Sequence, residues 1–162
     1  ATTASVIDRV LSYLTEVPLA EVNDGLDRAK AADSWKDLRP YYAERYEGCP
    51  GSNAVEVLSG ALACFYLADG HPKDAILYSI NIGRDTDCKA YVAGGMAGAL
   101  RGIEAIPAEW VDIVDEAARN DPWSVSNRTT GEAAEGLHRA ARNELEKMRE
   151  VIGEMEALHI DH

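Results

Sequence analysis

Cysteine is scarce and unpaired in this sequence. Cys49, Cys64 and Cys88 are three in 162 residues, and no two of them share a C-x-x-C spacing. An odd count without that spacing indicates neither a disulfide framework nor a zinc knuckle, and a reducing cytoplasm suits it best. Positive charge is short as well, with 16 Lys and Arg against 28 Asp and Glu and a formal net charge of −12. Nucleic-acid surfaces are built from Lys and Arg that neutralise phosphates, so a nucleic-acid partner is not expected. The first residues lack the basic and apolar regions of a signal peptide, and no apolar run approaches the ~20 residues that span a bilayer. Even the glycine-rich stretch is bracketed by Lys89 and Arg101, so no membrane partner is expected either.

Strand-like alternation is also missing, as are repeats, low-complexity tracts and linkers. Hydrophobic residues make up 46% and charged residues 27%, ordinary for a globular chain. The expectation is one all-α domain over 1–162 with about eight helices. Thr2 or Thr3 can cap a first helix in which Val6, Ile7, Val10, Leu11, Leu14 and Val17 recur at helical spacing up to Pro18. A second helix reads from 20 to 32, and Pro40 is expected to interrupt the piece that carries Trp35 and Leu38. Tyr41, Tyr42 and Tyr46 then either cover a core edge or offer a stacking surface.

Asn53 with Glu56 has capping-box spacing at the start of a mostly buried helix containing Ala61, Leu62 and Phe65. Pro72 suits a first helical position, and Gly83 suits a stop. Ala90, Gly94, Gly98 and Gly102 recur every four residues. Interior glycines each cost roughly 1 kcal/mol of helix propensity, so close packing must offset them. Pro107 is expected to open a helix that buries Trp110 and Val114, and residues 124 to 130 read as an exposed polar loop. The last helix spans about 131–158, with a near-heptad seam of Leu137, Ala141, Leu145, Met148, Ile152 and Met155 that packs inside the domain or against another chain. His71, His138, His159 and His162 show no ligand spacing.

The stretch that carries chemistry is Asn81-Ile82-Gly83-Arg84-Asp85-Thr86-Asp87-Cys88. Carboxylates two residues apart on an extended loop face the same side and converge. Their repulsion calls for a cation, and a hard divalent ion such as Mg²⁺ takes oxygen ligands. The plainer alternative is that Asp85 caps a helix and Asp87 sits favourably at its positive end.

From about Asn53 to Trp110 the chain resembles the C-terminal half of the ADP-ribosylglycohydrolase family. The likeness rests on the helix with Ala61 and Phe65, the helix with Ala75, Asn81-x-Gly83-x-Asp85-Thr86-Asp87, the small-residue helix, and Ile106-Pro107-x-x-Trp110. It implies an all-helical hydrolase of the bond between ADP-ribose, or a related ribosyl group, and a protein side chain or small molecule. It further implies Mg²⁺, with two ions typical and Mn²⁺ an alternative. By position, Asp85, Asp87 and Cys88 would be the metal ligands. Beside them, the guanidinium of Arg84, next to Gly83, would either weaken a dication site or bind a substrate phosphate.

Two residues depart from the family pattern: Cys88 stands where a Thr or Ser is usual, and Arg84 where a glycine is usual. The family's other metal ligands and its acid/base carboxylates lie in an N-terminal half whose motifs this sequence lacks. The catalytic base is therefore expected on that half, carried by another polypeptide or a second subunit. The alternative is a non-catalytic structural or binding member that has lost the metal site.

Overall fold

The computed structural model describes residues 1–123 and 127–158. Eight α-helices account for most of them: α1 Thr3–Leu11, α2 Glu16–Ala31, α3 Trp35–Arg45, α4 Ala54–Leu67, α5 Pro72–Asn81, α6 Thr86–Arg101, α7 Ala108–Asn120 and α8 Thr130–Leu158. One 3-10 turn, Ile103–Ala105, follows α6, and no strand occurs among the described residues. The fold is all-α. The chain divides into two compact units, Ala1–Pro107 and Ala108–His162. No helix among the described residues is long and apolar enough to cross a membrane.

In the first unit the helix starts follow local chemistry. Thr2 and Ser5 form a reciprocal capping box on α1, and Asn53 Oδ1 accepts from the Val55 and Glu56 amides at the head of α4. Two prolines behave differently from the expectation. Helix α1 stops at Leu11 rather than at Pro18, and just past its end the Ser12 hydroxyl donates to the Arg9 carbonyl at 2.7 Å. Pro18 instead falls in the first turn of α2, where a missing N–H leaves no helical bond unmade. Pro40 lies inside α3 without ending it. The Ser34–Asp37 capping box and the burial of Leu38 and Tyr42 on one face outweigh the bond that its ring removes.

Helix α4 is apolar all round and therefore central. It packs against α1, α2, α3, α5 and α6. Leu62 and Phe65 meet Ile7, Val22 and Leu26 on one side, and Ala63 and Cys64 meet Leu38, Tyr42 and Tyr46 on the other. Burial pushes the Cys64 thiol up to about 12, which makes it an inert core residue. Tyr42 and Tyr46 are buried, so these rings are core rather than a stacking surface.

The small-residue stripe of α6 works one position away from where the sequence suggests. The buried residues are Lys89, Ala93 and Ala97, while a Cβ at Gly94 would lie 2.8 Å from Ile76 Cγ1 of α5. Glycine thus admits α5 on the flank, and alanine faces the core.

In the second unit the Thr130 amide and hydroxyl donate to Asp115 at 2.7 and 2.6 Å, which ties the start of α8 to α7. Trp110 is half-buried, but Val114, expected in the core, is 56% exposed. Leu145, Met148, Ile152 and Met155 of the seam are exposed too. Residues 124–126 of the expected loop, and His159 and His162, lie outside the described residues.

Candidate metal centre

Helix α5 ends at Asn81, and the chain reverses through Gly83 (φ +88) and Arg84 (φ +61). Asp85 then caps α6, its Oδ1 accepting from the Cys88 amide at 3.4 Å, and Asp87 is the second residue of the helix. The two carboxylates therefore do not converge by alternation along an extended strand. A cap and the first helical turn bring them together. Ligand atoms of Asp85, Asp87 and Cys88 all lie within 4.8 Å of one another. Asp85 is half-buried, and Asp87 and Cys88 are exposed.

The Cys88 side chain beside Asp85 holds the Asp85 carboxyl below its usual range, and the carboxylate in turn raises the thiol. Two hard oxygen donors and one soft sulfur make a mixed set. The carboxylates fit Mg²⁺ or Mn²⁺, and the sulfur does not suit a hard cation. Asp85 does act as a helix cap, so the plainer reading of that residue is also satisfied. The cluster stands at the edge of an open groove of ≈ 670 Å³ with an apolar wall of Ala54, Val57, Leu58, Tyr91 and Val92.

Beneath the loop lies a buried ion cluster. Arg84 Nε and Lys89 Nζ both donate to Glu56 Oε1 at 2.8 Å. Lys89 Nζ also donates to the Gly83 carbonyl at 3.2 Å, and Arg84 Nη2 to the Cys49 carbonyl at 3.1 Å. Glu56 and Lys89 are fully buried. The Arg84 guanidinium thus turns inward to Glu56, which strengthens its hold on its proton, and the Gly83 carbonyl is engaged with Lys89.

Sequence reasoning missed Glu56 and Lys89. A signal was present: Glu56 sits between Val55 and Val57 in an otherwise apolar helix, and Lys89 precedes Ala93 by four on the buried stripe of α6.

The family model for ADP-ribosylglycohydrolase matches residues 1–150. The chain belongs to this family. The match reaches well beyond 53–110 and takes in α1 to α3 as family structure. Curated relatives include the ADP-ribosyl-[dinitrogen reductase] glycohydrolase of Rhodospirillum rubrum, 29% identical over 48% of this chain and 26% of its own length. The ADP-ribosylarginine hydrolase Tri1 of Pseudomonas putida is 40% identical over 37% of this chain and 16% of its own. The ADP-ribosylhydrolase ARH3 of Danio rerio is 40% identical over 36% of this chain and 19% of its own. The chain therefore matches about a quarter or less of the length of these relatives. No solved structure gives a significant match.

Proposed function

We propose that this chain is the C-terminal portion of a metal-dependent ADP-ribosylglycohydrolase that cleaves the bond joining ADP-ribose to a protein side chain or a small molecule. The observation that carries the reading is the convergence of Asp85 and Asp87 at the rim of a groove, in a family whose relatives here are ADP-ribosyl hydrolases by name. Asp85 and Asp87 would hold one or two Mg²⁺ ions, or Mn²⁺. Bound there, the metal would supply charge stabilisation and orient substrate oxygens as the glycosidic bond breaks.

This chain's residues would do the rest of the binding on this side. The apolar wall would exclude water from one face of the substrate, and a diphosphate would meet the free N–H groups of the first turn of α6 rather than Arg84, which Glu56 holds. The general base and the remaining ligands would come from outside these residues, on an N-terminal portion or a partner chain.

The test is release of ADP-ribose from ADP-ribosyl-arginine and ADP-ribosyl-serine with Mg²⁺, with the N-terminal portion supplied. Asp85→Ala should lower turnover by about a hundredfold or more, as loss of a metal ligand does. Equal turnover by the variant would refute the assignment of Asp85. A second reading, a non-catalytic member of the family, is favoured by the sulfur of Cys88 among the donors. It requires that no stoichiometric Mg²⁺ or Mn²⁺ copurifies.

A further inference from the structure

One fully buried carboxylate holds both ends of the acidic arc. Glu56 Oε1 receives Arg84 Nε, from the residue before Asp85, and Lys89 Nζ, from the residue after Cys88, each at 2.8 Å. The two bonds bracket Asp85, Asp87 and Cys88 in sequence. Lys89 Nζ adds the Gly83 carbonyl at 3.2 Å, and Arg84 Nη2 adds the Cys49 carbonyl at 3.1 Å. Arg84 is thereby kept at φ +61, a region that residues with a Cβ avoid unless their surroundings over-determine it. The core makes room for the arrangement. A Cβ at Gly60 would lie 2.7 Å from Lys89 Cε, so the lysine stem runs where α4 has no side chain.

Fold stability alone is a poor reason for this cluster. Apolar residues of similar volume in place of a buried ion pair are often as stable or more so. The Glu56 carboxylate is not fully satisfied either, because Oε2 is buried with no hydrogen-bond partner. What the carboxylate does achieve is directional: both of its bonds end on the arc. It also removes one of two positive charges lying under Asp85 and Asp87.

We propose that Glu56 is a positioning residue which, through Lys89 and Arg84, fixes residues 84–89 so that Asp85 and Asp87 face a divalent cation together. The inference rests on the metal reading of that arc and names a residue that the reading does not require.

The test compares the wild-type chain with Glu56→Leu/Lys89→Met, which exchanges the buried pair for apolar side chains, and with Glu56→Gln, which keeps an acceptor without its charge. Three quantities are measured: the melting temperature, Mn²⁺ affinity by electron paramagnetic resonance, and hydrogen exchange of the Cys88 and Lys89 amides. The double variant should melt near the wild type, bind Mn²⁺ about tenfold or more weakly, as loss of an outer-shell partner does, and exchange those amides about tenfold or more faster. Glu56→Gln, which leaves the buried Lys89 without its counter-charge, should melt below both and fall between them in Mn²⁺ affinity and amide exchange.

A folded double variant with wild-type Mn²⁺ affinity and wild-type exchange overturns the proposal. The Mn²⁺ measurement is made with the N-terminal portion supplied, as in the turnover test; if the wild type binds no Mn²⁺ there, the metal reading fails for this chain, and the exchange rates alone decide whether Glu56 positions the arc. If the double variant does not fold, Glu56→Gln is judged by the same two readouts.

Discussion

Gly25→Ala sets helix propensity directly against packing. Gly25 is buried in α2 where that helix crosses α4. Exposed and unopposed, the substitution would stabilise the helix by about 1 kcal/mol. Here a Cβ would lie 2.2 Å from Ser59 Oγ and 2.6 Å from Tyr42 Oη. Neither atom has free space, since Ser59 and Tyr42 are fully buried and hydrogen-bonded to each other at 3.0 Å. Forcing them apart adds about 1–3 kcal/mol of overpacking and about 1–3 kcal/mol for a buried hydroxyl left without its partner.

Ser59 keeps its bond to the Glu21 carbonyl at 3.3 Å, so the lower part of the second range applies. The net expectation is a loss of about 1–3 kcal/mol, or a melting temperature lower by about 2–12 °C. Urea and thermal unfolding by circular dichroism measure it. The same substitution in a Tyr42→Phe/Ser59→Ala background, where both oxygens are gone, should cost less than about 1 kcal/mol. A Gly25→Ala protein as stable as the wild type, or an equal loss in both backgrounds, would refute the reasoning.

Two further predictions concern charge and the donor set. Hydrogen bonds from Thr130 lower Asp115, and those from Thr129 lower Glu132. Both groups therefore add stability that is complete above their unfolded values of 3.8 and 4.5 and is lost as pH falls through the lower folded values; the contribution is modest because solvent screens both carboxylates, so the melting temperature of Asp115→Asn should fall slightly less than that of the wild type below about pH 4. Cys88 is exposed, so Cys88→Thr should leave the fold intact; on the metal reading, exchanging sulfur for oxygen should tighten Mg²⁺ and weaken Cd²⁺ by about an order of magnitude each, and calorimetry showing neither change would remove residue 88 from the ligand set.

Much of the fold was legible because helix starts are written locally. Thr2, Asn53 and Pro72 stand at or beside the observed starts, since a cap needs only its neighbours. Proline was harder to read, because its effect depends on where in a helix it falls and on what else that helix buries. Pro18 and Pro40 are both inside helices for those reasons. The acidic pair was legible as a pair, but its geometry belongs to a helix cap and not to an extended loop. Glu56 and Lys89 were not legible as partners. They lie 33 positions apart, and each alone looks like a surface charge until the core helix that carries Glu56 is packed under α6.

That packing bears on how two carboxylates stay available in a chain with cations beside them. Arg84 and Lys89 flank Asp85, Asp87 and Cys88 and would be the natural residues to neutralise the acids. Among the described residues, neither Asp85 nor Asp87 forms an ion pair with Lys or Arg. Both cations are instead drawn below the loop onto one buried oxygen of Glu56. Turning either cation outward would leave the buried Glu56 carboxylate undercompensated, and an uncompensated buried charge is costly. An exposed Asp85–Arg84 pair would therefore compete poorly with the buried alternative. The central helix does more than support the loop: by holding Arg84 and Lys89 on Glu56, it leaves two carboxylate groups at the groove without an ion-paired side chain, and such a pair is suited to a cation from solution.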